Sequence, residues 1–355
     1  MADLLALAAQ LVDVPSVSHA EADIADHVQH ELERAAHLEV ERVGNTVVAR
    51  TQLGRTRRVV LAGHLDTVPP SGPVATKVVG DTLWGLGAVD MKGGVAVLLD
   101  LARSIASPEV DVTYVLYGCE EVERRYNELG HLAESRPDLL VGDAAVLGEP
   151  TAGAVEAGCQ GTMRVKLTMG GRRAHTARPW TGVNAVHRLG RVLAALERFE
   201  GRRVELDGCI FLEQLQAVGV DGGVAGNVVP DRASVTVNYR FAPDRDTETA
   251  QRALTDFLAP NFDGSQGDLL ELLDVSSGAA PSLGHPVLAA LVEATGRPPS
   301  AKLGWTDVAT FAARGVPATN FGPGDPLLAH TSEEHVTRAE LEHVHDVLAR
   351  LITAR

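Results

Sequence analysis

Three short apolar runs of this chain, each closed by glycine or a polar cluster, are followed by a histidine or a carboxylate, and a further acid and a further histidine stand in glycine- and proline-containing loops. His64 and Asp66 occur in Gly63-His64-Leu65-Asp66-Thr67-Val68-Pro69, after the run at 59–62. A carboxylate two residues beyond a histidine can accept its second ring N–H, fixing the tautomer and raising basicity as a metal-bound imidazole requires. A polar loop after a strand is the plainer alternative. Asp90 stands in Trp84-Gly85-Leu86-Gly87-Ala88-Val89-Asp90-Met91-Lys92-Gly93-Gly94, at the place where a dinucleotide fingerprint would carry its third glycine. That fingerprint therefore fails, and the P-loop and H-E-x-x-H patterns are absent. The glycines read as a tight strand-to-helix turn, and the acid within it as functional. Glu120-Glu121 follows the run at 113–117. An exposed turn would tolerate such a pair. Buried, the two would repel unless a divalent cation lay nearby, and then one could coordinate while the other held a proton in transit.

Gly148-Glu149-Pro150-Thr151 adds an acid after the run at 144–147, and the loop at 323–330 ends in His330. Two histidines and three carboxylates form the mixed nitrogen and oxygen set that suits zinc, with one glutamate left over. Five such ligands, one of them bridging, can hold two metals about 3.5–4 Å apart around a water whose pKa falls toward 7. This predicts hydrolysis.

These residues need a scaffold. Residues 1–160 alternate helical patterns with short β-branched runs, the mark of an open α/β sheet, in which ligands gather at the carboxyl ends of strands. Ser18-His19-Ala20-Glu21 reads as a capping box opening an amphipathic helix to 36, with Ile24, Val28 and Leu32 at helical spacing. Residues 161–278 read strand (163–169), helix (184–199), strand (209–217), strand (234–241), helix (247–258), strand (270–275). That β-α-β-β-α-β order is a ferredoxin-like sandwich inserted into the first domain. The α/β pattern resumes near Pro286 and closes with a second capping box, Thr337-Arg338-Ala339-Glu340, ahead of a helix with Leu341, Val344, Val347, Leu348 and Leu351. The expected domains are 1–160 with 279–355, and 161–278.

The 355 residues are 45% hydrophobic and 22% charged, enough apolar content for a large core spread over about two domains. A formal net charge of −15 repels nucleic acid and anionic membrane surfaces, and no basic patch offsets it. No run is long enough to span a bilayer, and the opening residues lack a secretory pattern. With three cysteines, an odd number, the expected location is the cytoplasm. Cys119, Cys159 and Cys209 read as packed thiols rather than ligands.

The motifs GHLDTVP, WGLGAVDMKGG, the EE pair, GEPT, GRRAHTARP, GNVVP, NYRF and the late histidine, in that order along the chain, resemble the M20 family of dinuclear zinc peptidases and deacylases. Through CEEVE, EAGCQGT, GVAGNVVPD, NYRFAPDR, GWTDV and NFGPGDP the sequence is most similar to the succinyl-diaminopimelate desuccinylases of the actinobacterial branch. The resemblance implies two zinc ions, with cobalt as a substitute, bridged by Asp90. His64 and Glu149 would complete one site, and Glu121 and His330 the other. It makes Glu120 the general base and Asp66 the residue orienting His64. His175, on the inserted domain, would reach the partner subunit of a homodimer and stabilise the oxyanion there. Arg240, Asn227, Arg178 and Thr306 would contact a small anionic acyl amino acid, and Arg240 suits bidentate grip of a carboxylate. Without the family, His175 reads as a solvated loop residue and Arg240 as a surface ion pair.

The sequence departs from that family in two segments. In Gly304-Trp305-Thr306-Asp307-Val308-Ala309-Thr310-Phe311, many desuccinylases carry glycine at the place of Trp305 and arginine at that of Thr310. An anion-binding group is thus missing, and Lys302, Arg178 and Arg314 are the candidates to replace it. The stretch 122–128 after the EE pair also differs, reading either as a surface excursion or as a rim of the pocket. Competing functions are hydrolysis of another acyl amino acid or dipeptide, a catalytically silent relative that binds an amino acid or partner, and, more distantly, a dinucleotide-dependent oxidoreductase.

Overall fold

A computed structural model describes residues 3–70 and 75–354. Its centre is an eight-stranded mixed sheet in the order Glu39–Val43, Thr46–Arg50, Asp111–Tyr117, Arg58–His64, Ala144–Leu147, Ala318–Asn320, Glu156–Ala157, Ser300–Ala301. Arg58–His64 runs parallel to both neighbours, with Val59 opposite Val112 on one side and Ala144 on the other. The apolar runs are continuous because both faces are covered. Val59 and Leu61 point into a cluster with Leu98, Leu101 and Val344, whereas Val60 and Ala62 point into one with Leu132, Leu139 and Phe311. Each fully buried valine, leucine or phenylalanine among them contributes about 1.5–3 kcal/mol.

Gly93–Ser104 leaves the Asp90 turn and packs on the sheet beside Leu4–Val12, Pro286–Thr295 and Arg338–Thr353. A side-chain carbon on Gly94 would lie 2.2 Å from the carbonyl oxygen of Gly148, so only glycine lets this helix start against the strand end that carries Glu149. Thr337 and Glu340 form the expected capping box, the glutamate accepting from Thr337 N at 2.8 Å.

The other expected box does not form. The Ser18 hydroxyl instead donates to Asp66 at 2.7 Å, and Glu21 accepts from the backbone N–H groups of His19 and Cys119. The helix consequently spans only Ala22–Glu33. Side-chain partners far along the chain outcompete the local cap.

Between 161 and 276 lies a four-stranded antiparallel sheet in the order Gln214–Gly222, Arg232–Phe241, Gly161–Gly170, Leu269–Ser276. The helices Ala185–Glu197 and Thr247–Leu258 cover one face of it, burying Leu189, Val192, Leu196, Leu254 and Leu258 against Met163, Val165, Leu167, Val235 and Val237. The single strand expected at 209–217 is two. Cys209–Leu212 folds back on Arg203–Leu206 as a hairpin whose Cys209 and Phe211 join the main core, and Gln214–Gly222 then enters the sheet. Among the described residues no helix is long and apolar enough to cross a membrane.

Candidate metal centre and active site

The carboxyl ends of the central strands and the loops after them carry His64, Glu121, Glu149 and His330, and the turn after Thr82–Trp84, a strand of a separate three-stranded sheet, brings Asp90 to them. His64 is the last residue of its strand, and its Nε2 lies 3.2 Å from Asp90 Oδ1. The other Asp90 oxygen lies 3.4 Å from His330 Nε2, which is 2.8 Å from Glu121 Oε1. Ligand atoms of His64, Asp90 and Glu149 fall within 4.8 Å of one another, and so do those of Asp90, Glu121 and His330. Asp90 is common to both groups, as a bridging carboxylate must be. His64 with Glu120 and Glu121 satisfies the same spacing.

The protonation behaviour of this cluster expresses crowded negative charge. Burial pushes the Glu149 carboxyl up to about 7, with the charge of Asp90 adding to it, and its Oε1 is buried without a hydrogen-bond partner. Burial likewise drives Glu120 well above the carboxylate range, reinforced by Glu149 and Glu121. Hydrogen bonds to Asp90 and Glu121 raise His330 to about 10. Burial opposes ionisation of Asp90, yet its hydrogen bonds to His330 and His64 hold it well below the usual range. Protons are standing in for cations here, and the orphaned Glu149 oxygen and the donor chemistry fit divalent metal.

Two further carboxylates set the geometry. Asp66 is fully buried, but it does not meet His64 chiefly through its carboxylate, as the spacing suggested. His64 Nδ1 lies 3.0 Å from the backbone oxygen of Asp66 and 3.5 Å from Oδ1. The carboxylate oxygens accept from Glu120 N at 3.0 Å and Glu121 N at 3.1 Å, so Asp66 fixes the start of the EE loop as well as the ring. Glu334, buried, accepts from the N–H groups of Gly87, Val89 and Asp90 at 2.9–3.1 Å and thereby holds the turn that presents Asp90.

Asp90, Glu120, Glu121, Glu149 and His330 open onto one cavity of about 360 Å³, which Arg240 and Thr306 also line. Thr306 donates to Asn320 Oδ1 at 2.9 Å. His175, Asn227 and Arg178 do not reach this cavity. All three are exposed on the inserted segment, where His175 pairs with Val228 and the Asn227 carbonyl accepts from Thr176 N. Of the candidates for the missing anion-binding group, Lys302 lines the cavity but is ion-paired with Glu156 at 2.9 Å. Arg314 donates to the Ala133 carbonyl instead.

The cavity also contains Arg124, Arg164 and Asn238, which sequence reasoning missed. Arg164 and Asn238 were accessible to it. In Gly161–Gly170 and Arg232–Phe241 alternate residues are buried, so Arg164 and Asn238 share the open face with Arg240, directly opposite one another in the register. Glu334, by contrast, carries no local signal, because its partners lie more than two hundred residues earlier.

Comparison with known proteins adds kinship to this geometry. Residues 60–354 match the pattern of peptidase family M20/M25/M40. A Corynebacterium glutamicum succinyl-diaminopimelate desuccinylase is 42% identical, the match covering 99% of this chain and 95% of the relative. A Mycobacterium tuberculosis protein, named provisionally as the succinyl-diaminopimelate desuccinylase DapE, is 51% identical over 99% of this chain and 98% of its own. Among solved structures, a Staphylococcus aureus tripeptidase superposes with a TM-score of 0.82 at 20% identity, covering 99% of this chain and 97% of the other. An M20 family metallo-carboxypeptidase from Sulfolobus solfataricus superposes at 0.78 and 17%, covering 99% of each chain. On the sequence match and the relatives together, this chain belongs to peptidase family M20/M25/M40.

Proposed function

We propose that the protein hydrolyses N-succinyl-LL-2,6-diaminopimelate to succinate and LL-2,6-diaminopimelate, in the biosynthesis of diaminopimelate and lysine. The observation that carries this reading is the meeting, in one cavity, of two metal-ligand groups, the adjacent carboxylate Glu120 and the guanidinium of Arg240. Full-length similarity to desuccinylases supports the choice of acyl group. His64, Asp90 and Glu149 would hold one zinc, and Asp90, Glu121 and His330 the other. Bound there, the two ions supply Lewis acidity toward the amide carbonyl and acidify water.

The chain's own groups do the rest. Glu120, its proton affinity raised by burial, takes a proton from the attacking water as the C–O bond forms. It returns that proton to the amine nitrogen as the C–N bond breaks. Asp66 holds both the His64 ring and the backbone of Glu120, so base and ligand keep one relative position. Arg240 lies close enough to feel the charge of Glu120 and has no hydrogen-bonded carboxylate among the described residues, which leaves it for a substrate carboxylate.

The segment 161–278 acts in this reading as a ferredoxin-like lid and dimerisation domain on the catalytic domain formed by 1–160 and 279–355. Its exposed His175 and Asn227 serve the partner subunit's cavity in a cytoplasmic homodimer, with Arg178 beside them at the substrate's entry. The test is kcat/KM on metal-loaded protein for N-succinyl, N-acetyl and dipeptide substrates, with a chelated control. The succinyl compound is expected to lead by at least about tenfold and chelation to abolish turnover. A larger kcat/KM on the acetylated or dipeptide compound would overturn the assignment.

A further inference from the structure

The cations of the cavity differ in what already occupies them. Lys302 is taken up by Glu156 and by the Pro150 carbonyl at 3.1 Å, and Arg164 faces Glu123 at 3.7 Å. Arg124, like Arg240, has no hydrogen-bonded carboxylate among the described residues. Its Nη1 is buried without any hydrogen-bond partner, and its guanidinium carbon lies 5.3 Å from the centre of the Trp305 ring. The indole is itself fixed, donating from Nε1 to the Ser277 carbonyl at 3.0 Å. A guanidinium laid on a fixed ring has its plane and fork aimed in advance, and a buried N–H lacking an acceptor is a vacancy for one.

The base of this arm is equally fixed. Three residues after Arg124, Asn127 Nδ2 donates to the buried Asp307 at 2.7 Å, and the Thr310 hydroxyl donates to the other oxygen of that carboxylate at 2.6 Å. The two segments that depart from the family thus interlock. Thr310 binds Asp307, Asp307 anchors the loop after the EE pair, and that loop lays Arg124 on Trp305.

We propose that Arg124, carried on Trp305, binds a carboxylate of the acyl amino acid and so determines specificity. This rests on the amidase reading above. The bound group is either the distal carboxylate of the acyl chain or a carboxylate of the amine half, and both would satisfy Nη1 in the same way.

The test measures KM and kcat for Arg124→Gln and Arg124→Lys on the N-succinyl and N-acetyl derivatives of the same diamino acid, with metal content and melting temperature followed in parallel. Loss of one charged hydrogen-bonded contact is expected to raise KM by about 10- to 100-fold with kcat nearly unchanged. A rise confined to the succinyl compound assigns the acyl carboxylate, and a rise on both assigns the amine half. Trp305→Leu is expected to share the KM defect, and Trp305→Phe, which keeps an aromatic face, to recover most of it. An unchanged KM on both compounds, or a fall only in kcat or melting temperature, overturns the proposal. If the wild type cleaves neither compound, the amidase reading fails by itself. Calorimetric binding of the uncleaved N-succinyl compound then decides this one, equal affinity for wild type and Arg124→Gln counting against it.

Discussion

The two halves of the expected site are built in opposite ways. Around His64, Asp90, Glu120 and Glu121 every backbone turn is tied to a buried carboxylate, Asp66 on one side and Glu334 on the other. Around His175, Asn227 and Arg178 the chain is exposed, held by the short pairing of 174–175 with 228–229 and by contacts such as the 3.0 Å bond from Ala177 N to His175 Nδ1, with no buried carboxylate bracing it. The first half carries its geometry within one chain. On the proposed reading the second would acquire catalytic meaning only against a partner subunit, which is why the division between fixed centre and delivered arm is the thing to test.

The largest effect belongs to the fixed half. Glu120→Gln keeps the shape of the side chain and removes its basicity, so kcat is expected to fall about 10²- to 10⁴-fold with bound metal unchanged. Activity within threefold of wild type would move the proton chemistry elsewhere. His175→Ala should cost about 10²- to 10³-fold if the ring steadies an oxyanion. Mixing that variant with Glu120→Gln sharpens the contrast. Hybrid dimers would pair one doubly defective cavity with one intact cavity, restoring about one quarter of wild-type activity after random exchange of subunits. No recovery in demonstrably exchanged dimers would break the delivered-arm account.

The smallest effect is one of stability. Glu149 titrates near 7 in the folded chain against an ordinary value of 4.5, so the native state binds the extra proton and loses stability as pH rises through that interval. His330, raised to about 10 from 6.5, contributes stability that is present below its ordinary value and is lost as pH climbs through 10. Both act in the same direction. The chelated protein is expected to melt progressively lower than the metal-loaded form between about pH 5 and about pH 9, because metal binding needs the same groups deprotonated. Parallel melting curves would show that these side chains do not share a cation.

What the sequence revealed followed from how far each interaction reaches along the chain. The runs at 59–62, 113–117 and 144–147 are strands because sheet burial on both faces leaves a local apolar signature, and the acids just beyond them lie where those strands end. Thr337 and Glu340 cap their helix because both partners are local. Ser18 misled for the converse reason. Its pattern is also local, but Asp66, placed by a strand forty-eight residues on, binds the hydroxyl instead. Trp305 and the stretch 122–128 stood out only as departures from a family, and nothing in either segment announces that Arg124 and Trp305 would meet.

The clasp of Glu334 on the Gly87–Asp90 turn makes the catalyst indivisible. His330 and Glu334 come from one short stretch just ahead of the C-terminal helix, so the imidazole that closes the cluster and the carboxylate that braces the Asp90 turn arrive together. A product shortened to end before that stretch would retain most of the central sheet, yet it would lack both the closing imidazole and the brace. The stretch from His330 to Glu334, rather than the helix it precedes, is therefore the keystone of the chemistry.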